Sequence, residues 1–370
     1  MRLVWGTVTL VEESSRDSQT LLVEVDAEAG GGSRSALCYM ALSGGCAEGD
    51  RVLLNTTAVD MGLGTGGFDL VVARLPAPGA GATRIPGGVA LDDPSGGHIL
   101  KLRYTPLQRD VLAVEEPAST HHGTLSEAAD IGGMPVVCCG LHSQVTPVAA
   151  AIKEARPDAR VAYVMTDEAT LAMPMSRLVR ACVDVGLLDV TVSAGQSFGG
   201  QIEAVNTYSG LLAARHVARA DIAIVAIGPG VAGTGTKFGH GGISQGVSLN
   251  AVAALSGRGV AVVRMSFAEE RGRHQGVSHH TLTSLTRVAL ARCRVALPAL
   301  PEEQARTVDA QLEEARVWDL HDRVDVPRAP EQLPDTRGVP MSSMGRSAED
   351  DPAFFCAAAA AGDVAATLLG

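Results

Sequence analysis

Residues 134–165 read MPVVCCGLHSQVTPVAAAIKEARPDARVAYVM, and the fold of the chain can be predicted from this stretch. A short apolar run comes first, a segment with helical character follows, and a second apolar run ends the stretch. Continuous apolar strands that alternate with helices are typical of βαβ units, whose parallel sheet is covered on both faces. The stretch therefore predicts an α/β domain built on a parallel sheet.

The same alternation continues further along the chain. Four more apolar runs lie at residues 190–194, 222–227, 260–265 and 294–297, with helical patterns between them. In residues 202–218, apolar side chains recur at three- or four-residue steps, which predicts a single helix. Together these patterns predict a doubly wound, Rossmann-like parallel sheet.

The N-terminal part of the chain follows another pattern, in which short runs rich in Val, Leu and Thr are separated by turn residues. These runs are residues 3–11, 20–25, 36–40, 51–54 and 69–73. Such spacing predicts a small antiparallel β domain, and the Pro/Gly/Ala-rich residues 76–88 are predicted to be a loop or linker. We predict this β domain over residues 1–110, the Rossmann-like domain over residues 111–300, and a C-terminal helical extension over residues 301–370 that packs on the α/β domain.

The composition excludes several classes of function. The 370 residues carry a formal net charge of −11, and no run of Lys and Arg offers the basic surface that a nucleic-acid partner needs. The apolar residues 353–361 are too few to cross a bilayer, so no membrane partner is expected. Met1 leads directly into a strand-like run, without the pattern of a signal peptide, and the seven cysteines are scattered. We therefore expect reduced thiols and a cytoplasmic location.

The connections between the predicted elements are unequal in length. Those from a helix to the next strand are short, whereas those from a strand to the next helix are long and polar: residues 166–174, 195–201, 228–243 and 266–278. Ligands of open parallel sheets bind outside the carboxyl ends of the strands. The long loops therefore predict a binding site at this edge of the sheet.

The loop after the run 222–227 is rich in glycine, which lets backbone N–H groups approach an anion closely. Its candidate ligand-binding residues are Gly228, Gly230, Gly233, Thr234, Gly235, Thr236 and Lys237. Residues 228–233 match the dinucleotide fingerprint literally, but no helix opens at its last glycine. The alternatives are a nest for a phosphate or carboxylate and a turn that only packs tightly.

A second candidate lies in residues 271–281, RGRHQGVSHHT. Ser278 is predicted to cap a helix that begins with His279 and His280, and Arg271 and Arg273 lie just before it. Arginine at a helix start favours a carboxylate or phosphate ligand. We predict a histidine general acid/base here, with at most one of the two adjacent rings facing the site. The alternative is that one histidine caps the helix and the other is solvated.

Polar residues also follow the second and third strands of the predicted sheet. Asp167 is a candidate catalytic carboxylate, and the alternative is a turn cap. Backbone and side-chain donors of the next loop are candidates for ligand binding: Gln196, Ser197, Gly199 and Gly200. A metal site built from His142, Asp167 and His280 is a weaker alternative, so no metal is predicted and the cofactor is unknown.

Several strings resemble a bacterial family of unknown function, number thirty-eight sixty-six. They are residues 55–67, 98–106 (HILKLRYTP), 228–239, 276–283 (GVSHHTLT) and 343–346 (SMGR). The resemblance spans nearly the whole chain and implies that the β and α/β regions belong together, but it implies no activity. Members of the family often have a histidine after the glycine that matches Gly195. Gln196 in this position argues against an essential imidazole in that loop.

These observations predict an enzyme that acts on a small anionic or phosphorylated metabolite at the carboxyl edge of the sheet. His279 or His280 would be the general acid/base, with Asp167 assisting. The alternatives are a non-catalytic nucleotide or metabolite sensor that uses the same face, and a scaffold protein. The sequence leaves a homo-oligomer open.

Overall fold

The computed structural model describes residues 2–63, 66–75 and 96–369. Contacts within the chain divide it into two compact units, residues 1–111 and residues 112–370. The linker predicted at residues 76–88 lies outside the described residues.

The first unit is built on a closed five-stranded barrel with the strand order β1-β2-β3-β5-β4. Its elements, in chain order, are β1 (Leu3–Ser14), β2 (Ser18–Val25), β3 (Ser33–Tyr39), α1 (Met40–Ser43), β4 (Arg51–Asn55), α2 (Thr57–Asp60), β5 (Asp69–Leu75), β6 (Ile99–Lys101) and β7 (Arg109–Val111). Neighbouring barrel strands are antiparallel except β3 and β5. Alternating residues such as Leu21 and Val23 fill the interior. The predicted small N-terminal β domain is confirmed.

The second unit is an α/β structure. Its elements are α3 (His122–Glu127), β8 (Pro135–Cys138), α4 (Val145–Ala155), β9 (Val161–Thr166), α5 (Arg177–Asp184), β10 (Val190–Ser193), β11 (Ile202–Glu203), α6 (Thr207–Leu212), β12 (Ile222–Ile227), α7 (Ser244–Ala254), β13 (Arg258–Ala261), β14 (Met265–Ser266), β15 (Gly276–Val277), α8 (His279–Thr283), β16 (Arg294–Pro298), α9 (Glu302–Glu314), β17 (Asp322–Val326), β18 (Ser342–Ser343), β19 (Arg346–Ser347) and α10 (Pro352–Thr367). Short π-helical segments, Ala213–Val217 and Ser284–Val288, continue α6 and α8.

Eight parallel strands form the sheet of this unit, in the order β11-β10-β9-β12-β8-β13-β16-β17. The chain moves outward from β8 to β11, returns with β12 between β9 and β8, and continues with β13 on the other side of β8. Successive strand residues pack on opposite faces: Val137 and Tyr163 lie under α4, α5 and α10, whereas Val136 and Val164 lie under α6, α7 and α9. The predicted parallel α/β fold is confirmed.

Two details differ from the sequence prediction. The helix expected over residues 202–218 begins at Thr207, because Asn206 caps it by accepting a hydrogen bond from the backbone N–H of Ser209 at 3.1 Å. Ile202–Glu203 instead forms the edge strand β11. Residues 301–370 do more than extend the domain with helices, since β17 is the eighth strand of the sheet and α10 packs against α4 and β16. No helix within the described residues has the length and apolar content to span a membrane.

All seven cysteines are free and buried, and two thiols of the barrel contact each other. Sγ of Cys38 and Sγ of Cys46 are 3.7 Å apart. We expect titration of the denatured, unreduced protein with a thiol reagent to find seven free thiols per chain. A count of five would contradict this expectation and would point first to oxidation of the Cys38–Cys46 pair, which peptide mapping would reveal.

Candidate functional site

The long loops leave the sheet at one edge, as predicted, because β9, β10, β12 and β13 belong to one parallel sheet. Their backbones also contact one another. The N–H of Thr170 donates to the carbonyl of Pro229 at 3.1 Å, and the N–H of Met173 donates to the carbonyl of Phe198 at 2.9 Å. The loop after β9 therefore lies between the loops after β10 and β12.

Four histidines meet at this edge: His240, His274, His279 and His280. The rings of His240 and His280 are stacked, with centroids 3.7 Å apart and planes 7° from parallel. The ring of His279 lies 4.4 Å from that of His280, and the ring of His274 lies 5.0 Å from that of His279. Both adjacent rings, His279 and His280, therefore belong to the cluster. The rings of His240 and His274 each contact both of them.

Local structure explains how this cluster is held. The side chain of Ser278 caps α8 as predicted, accepting from the backbone N–H of His280 at 3.3 Å. Its Oγ also bonds Nδ1 of His274 at 2.7 Å. Ser278 is fully buried, so its role is to position the two histidines. Gly233 lies against the cluster as well, since a Cβ on this residue would be 3.7 Å from the His280 ring.

The ring nitrogens are used unequally. Nε2 of His240 lies 3.1 Å from the carbonyl oxygen of Lys237; because a carbonyl only accepts, Nε2 carries the proton and Nδ1 keeps a lone pair. Two ring nitrogens are buried without a hydrogen-bond partner: this Nδ1 of His240 and the Nε2 of His279. Nδ1 of His280 accepts a hydrogen bond from Nη1 of Arg264 at 3.1 Å. Among the described residues, the cluster thus contains two buried ring nitrogens without a hydrogen-bond partner, and the one on His240 carries a lone pair.

Burial keeps these imidazoles neutral. It lowers the pKa of His280 to about 2, helped by the nearby His240 and Arg264, and it lowers the pKa of His274 to about 3, helped by Arg264. The pKa values of His240 and His279 are lowered too, mainly by burial. A neutral imidazole has a lone pair for a proton or a metal ion.

Arg264 lies between β13 and β14, directly beside the histidine cluster. This cation is only 4% exposed. Burial and the charge of Arg271 lower its pKa to about 10. The neighbouring carboxylate of Glu269 pairs with Arg271 and Arg346 instead. Within the described residues no carboxylate forms an ion pair with Arg264, so this buried charge is only partly compensated.

A basic cleft of about 610 Å³ opens beside His279. Its charged lining residues are Lys237, Arg273, Arg287, Glu314 and Arg316. Arg316 pairs with Asp319 at 2.5 Å, whereas no carboxylate in the described part of the chain pairs with Lys237, Arg273 or Arg287. Three exposed cations are therefore free to bind an anion.

Residues of the Gly-rich loop line two cavities. Gly235, with φ +77°, and Lys237 line the basic cleft. Gly228 and Gly230 line a smaller crevice of about 250 Å³ together with His142. This crevice lies where the chain leaves β8 and β12 toward opposite faces of the sheet, the usual switch point for ligands.

Several predicted residues serve the structure of the loops. The hydroxyls of Thr234 and Thr236 bond each other at 2.8 Å and close the turn. In the neighbouring loop, the Ser197 hydroxyl donates to the Thr166 carbonyl at 2.8 Å, and the N–H groups of Gly199 and Gly200 donate to Glu203 and Ser193. Arg271 is held by Glu269 at 2.6 Å and does not line the cleft.

Asp167 and His142 are not brought to the histidine cluster. Asp167 accepts a hydrogen bond from the backbone N–H of Gln196 at 2.7 Å, which ties two loops together. The His142 ring is buried between the Ser176 hydroxyl, at 2.6 Å, and the Ile227 carbonyl, at 3.2 Å. The alternative metal site from His142, Asp167 and His280 therefore finds no support, because the three residues have separate partners.

Five residues of the cluster and the cleft were not predicted as site residues from the sequence: His240, His274, Arg264, Arg287 and Arg316. Arg264 had a recognisable signal, since it interrupts the apolar run VAVVRMS. His240 had one too, since it ends the long Gly-rich loop just before a helix. His274 lies inside the predicted loop 266–278 but was not given a role.

Comparison with known proteins adds the family. A protein-family model described as "Protein of unknown function (DUF3866)" matches residues 35–362. This match confirms the resemblance seen in the sequence, and it covers parts of both units. No curated protein and no solved structure matches the chain.

Proposed function

The chain belongs to the DUF3866 family, which has no described function. From the geometry of the site we propose that the protein is an enzyme that acts on a small anionic or phosphorylated metabolite. One observation carries this proposal. Among the described residues, His279 belongs both to the wall of the basic cleft and to the cluster of neutral histidines. An anion bound in the cleft would therefore lie next to a group that can accept a proton.

The cations of the cleft support recognition of a negative group. Lys237, Arg273 and Arg287 come from different segments, and none is neutralised by a described carboxylate. A Cβ on Gly235 would be 3.9 Å from the guanidinium carbon of Arg273, so the loop backbone lies close to this cation. An Arg fork beside a Lys point charge suits a phosphate or a carboxylate.

The chemistry follows from the imidazole next to that anion. His279 has a buried Nε2 without a partner and a pKa lowered by burial and by Arg273, so it is neutral. A neutral imidazole within reach of the substrate can remove a proton from it or from a water molecule. We propose this role for His279 and leave Asp167 out of it, since Asp167 contacts the Gln196 backbone. The free, buried cysteines support a cytosolic location for this enzyme.

We expect the Arg273→Ala variant to bind the metabolite less tightly by about 1.5–3 kcal/mol, the usual contribution of a hydrogen bond to a charged group. This corresponds to about a 10- to 150-fold higher Kd. A thermal-shift panel of phosphorylated and carboxylated metabolites, with inorganic phosphate as reference, would identify the ligand, and calorimetric titration would compare the variants.

Arg306→Ala is the matched control, because Arg306 is exposed on α9 and pairs with Glu302, outside the lining of the cleft. Equal affinity of the wild type and Arg273→Ala for the ligand would contradict the proposal. Binding in the cleft without any conversion of the ligand would favour the sensor instead of the enzyme.

A further inference from the structure

We propose that His240, His279 and His280 bind a divalent transition-metal ion such as zinc. One ring nitrogen from each of the three residues lies within 4.8 Å of the others. The inference builds on the proposed function, since it names what acts beside the anion. Metal binding can nevertheless be measured without any substrate.

The first support is the orientation of His240. Its Nε2–H donates to the Lys237 carbonyl at 3.1 Å, which fixes the tautomer and leaves the Nδ1 lone pair inside the cluster. Histidines that bind metals usually donate their other ring N–H to a carbonyl or carboxylate in this way. His240 is therefore already arranged as a ligand.

The second support is the buried nitrogens without partners. Nδ1 of His240 and Nε2 of His279 have no hydrogen bond, although buried polar atoms in folded proteins nearly always have one. Leaving such an atom unsatisfied costs about 1–3 kcal/mol. A metal ion could bind both nitrogens at once. Histidines that only pack against one another would not need to bring their ring nitrogens within 4.8 Å.

The donor set indicates the kind of ion. Three imidazole nitrogens suit zinc, copper, iron or nickel better than magnesium or calcium, which prefer oxygen. Catalytic zinc sites commonly have three protein ligands and keep the fourth position for water. Zinc–nitrogen bonds of about 2.0–2.1 Å lie in the planes of the rings and would bring the three nitrogens to about 3.3 Å from one another. The rings of His240 and His280, which are now stacked 7° from parallel, would have to tilt apart to bind the same ion.

His279 sets where the open position of the ion would be. Because His279 also lines the basic cleft, the ion would be separated from an anion bound there by no more than one imidazole ring. Zinc lowers the pKa of bound water to about 7. That water would then take the role of proton acceptor or nucleophile, and the imidazole of His279 would hold the ion.

Arg264 would weaken the binding of a metal ion, and this effect can be tested. Its Nη1 donates to Nδ1 of His280 at 3.1 Å, and its positive charge is buried next to the cluster. The guanidinium therefore competes for one ligand nitrogen and repels a dication. Replacing Arg264 with methionine removes both effects and keeps an apolar side chain of similar length in a buried place, a change that proteins often tolerate.

The experiment uses the full chain without a histidine tag, freed of metal with a chelator, and titrated with Zn²⁺ and with Co²⁺ as a spectroscopic probe. We expect one tightly bound ion per chain and the visible absorption of cobalt with nitrogen ligands. His240→Ala and His280→Ala should weaken zinc binding by more than about 100-fold, beyond the range for losing an outer-shell partner. His121→Ala, at an exposed histidine, should bind like the wild type.

Arg264→Met should bind zinc more tightly than the wild type, a gain that misfolding cannot produce. Zinc affinity that is unchanged in both histidine variants, or no stoichiometric binding by the wild type and by Arg264→Met, would overturn the metal site. Calorimetry of the metabolite with metal-free protein separates the two proposals. Anion binding that Arg273→Ala weakens would leave the proposed function standing even if the metal site failed.

Discussion

The His279→Ala variant is expected to convert the anionic metabolite about 10²- to 10⁴-fold more slowly than the wild type, the usual contribution of a positioned acid or base. Its affinity for the metabolite should change little, because the cations of the cleft remain. The prediction holds whether the imidazole takes the proton itself or holds the ion whose water does. Both roles need a ring-nitrogen lone pair on His279, whose Nε2 is buried without a hydrogen-bond partner and whose ring lines the cleft.

Steady-state kinetics and calorimetry on the same preparations would measure this separation of turnover from binding. His121→Ala is the control, since it removes an exposed imidazole away from α8. Wild-type kcat in His279→Ala would show that the chemistry takes place elsewhere. A loss of affinity as large as the loss of kcat would show that His279 only binds.

The second large effect concerns stability. We expect Phe355→Ala to lower the free energy of unfolding by about 3–5 kcal/mol, the cost of deleting a large buried side chain. Phe355 on α10 is fully buried, and its ring meets that of Phe354 edge to face at 5.0 Å. Both rings pack with Leu141, directly before His142. The loss is a large part of the 5–15 kcal/mol that stabilises a typical domain.

Urea denaturation followed by circular dichroism would measure the change. Phe238→Ala is the matched control, because the Phe238 side chain is 59% exposed and its removal should change stability by about 0.5 kcal/mol or less. A loss below about 1 kcal/mol for Phe355→Ala would mean that α10 is peripheral to the α/β unit.

The fold could be predicted where the signal is local. Apolar runs such as residues 222–227 became buried parallel strands, because a strand covered on both faces needs apolar side chains at every position. Strand β11 was missed, since a two-residue pairing depends on β10 and leaves no pattern of its own. The C-terminal extension was predicted to pack on the α/β domain, but the face of the sheet that α10 covers was not predicted. Its alanines predict a helix, but small side chains around the whole helix do not show which layer it joins.

The site was only partly predictable. Long loops at the ends of strands pointed to the edge at which the histidine cluster and the basic cleft lie, and His279, Arg273 and Lys237 were among the candidates there. The cluster itself was missed, because it joins His240 from the loop after β12 to His280 from the region after β15. Their meeting depends on the order of strands in the sheet, which spacing along the sequence does not encode. For the same reason, the sequence could not show that His142 and Asp167 lie apart from His280, with which they were considered as a metal site.

The central claim is that the basic cleft beside His279 binds anions, and a crystal soaked with tungstate, a heavy analogue of phosphate, tests it most directly. The account predicts anomalous density in the cleft between Lys237, Arg273 and Arg287, next to the His279 ring. Density found only in the crevice at Gly228 and Gly230, or none at the carboxyl edge of the sheet, would contradict it.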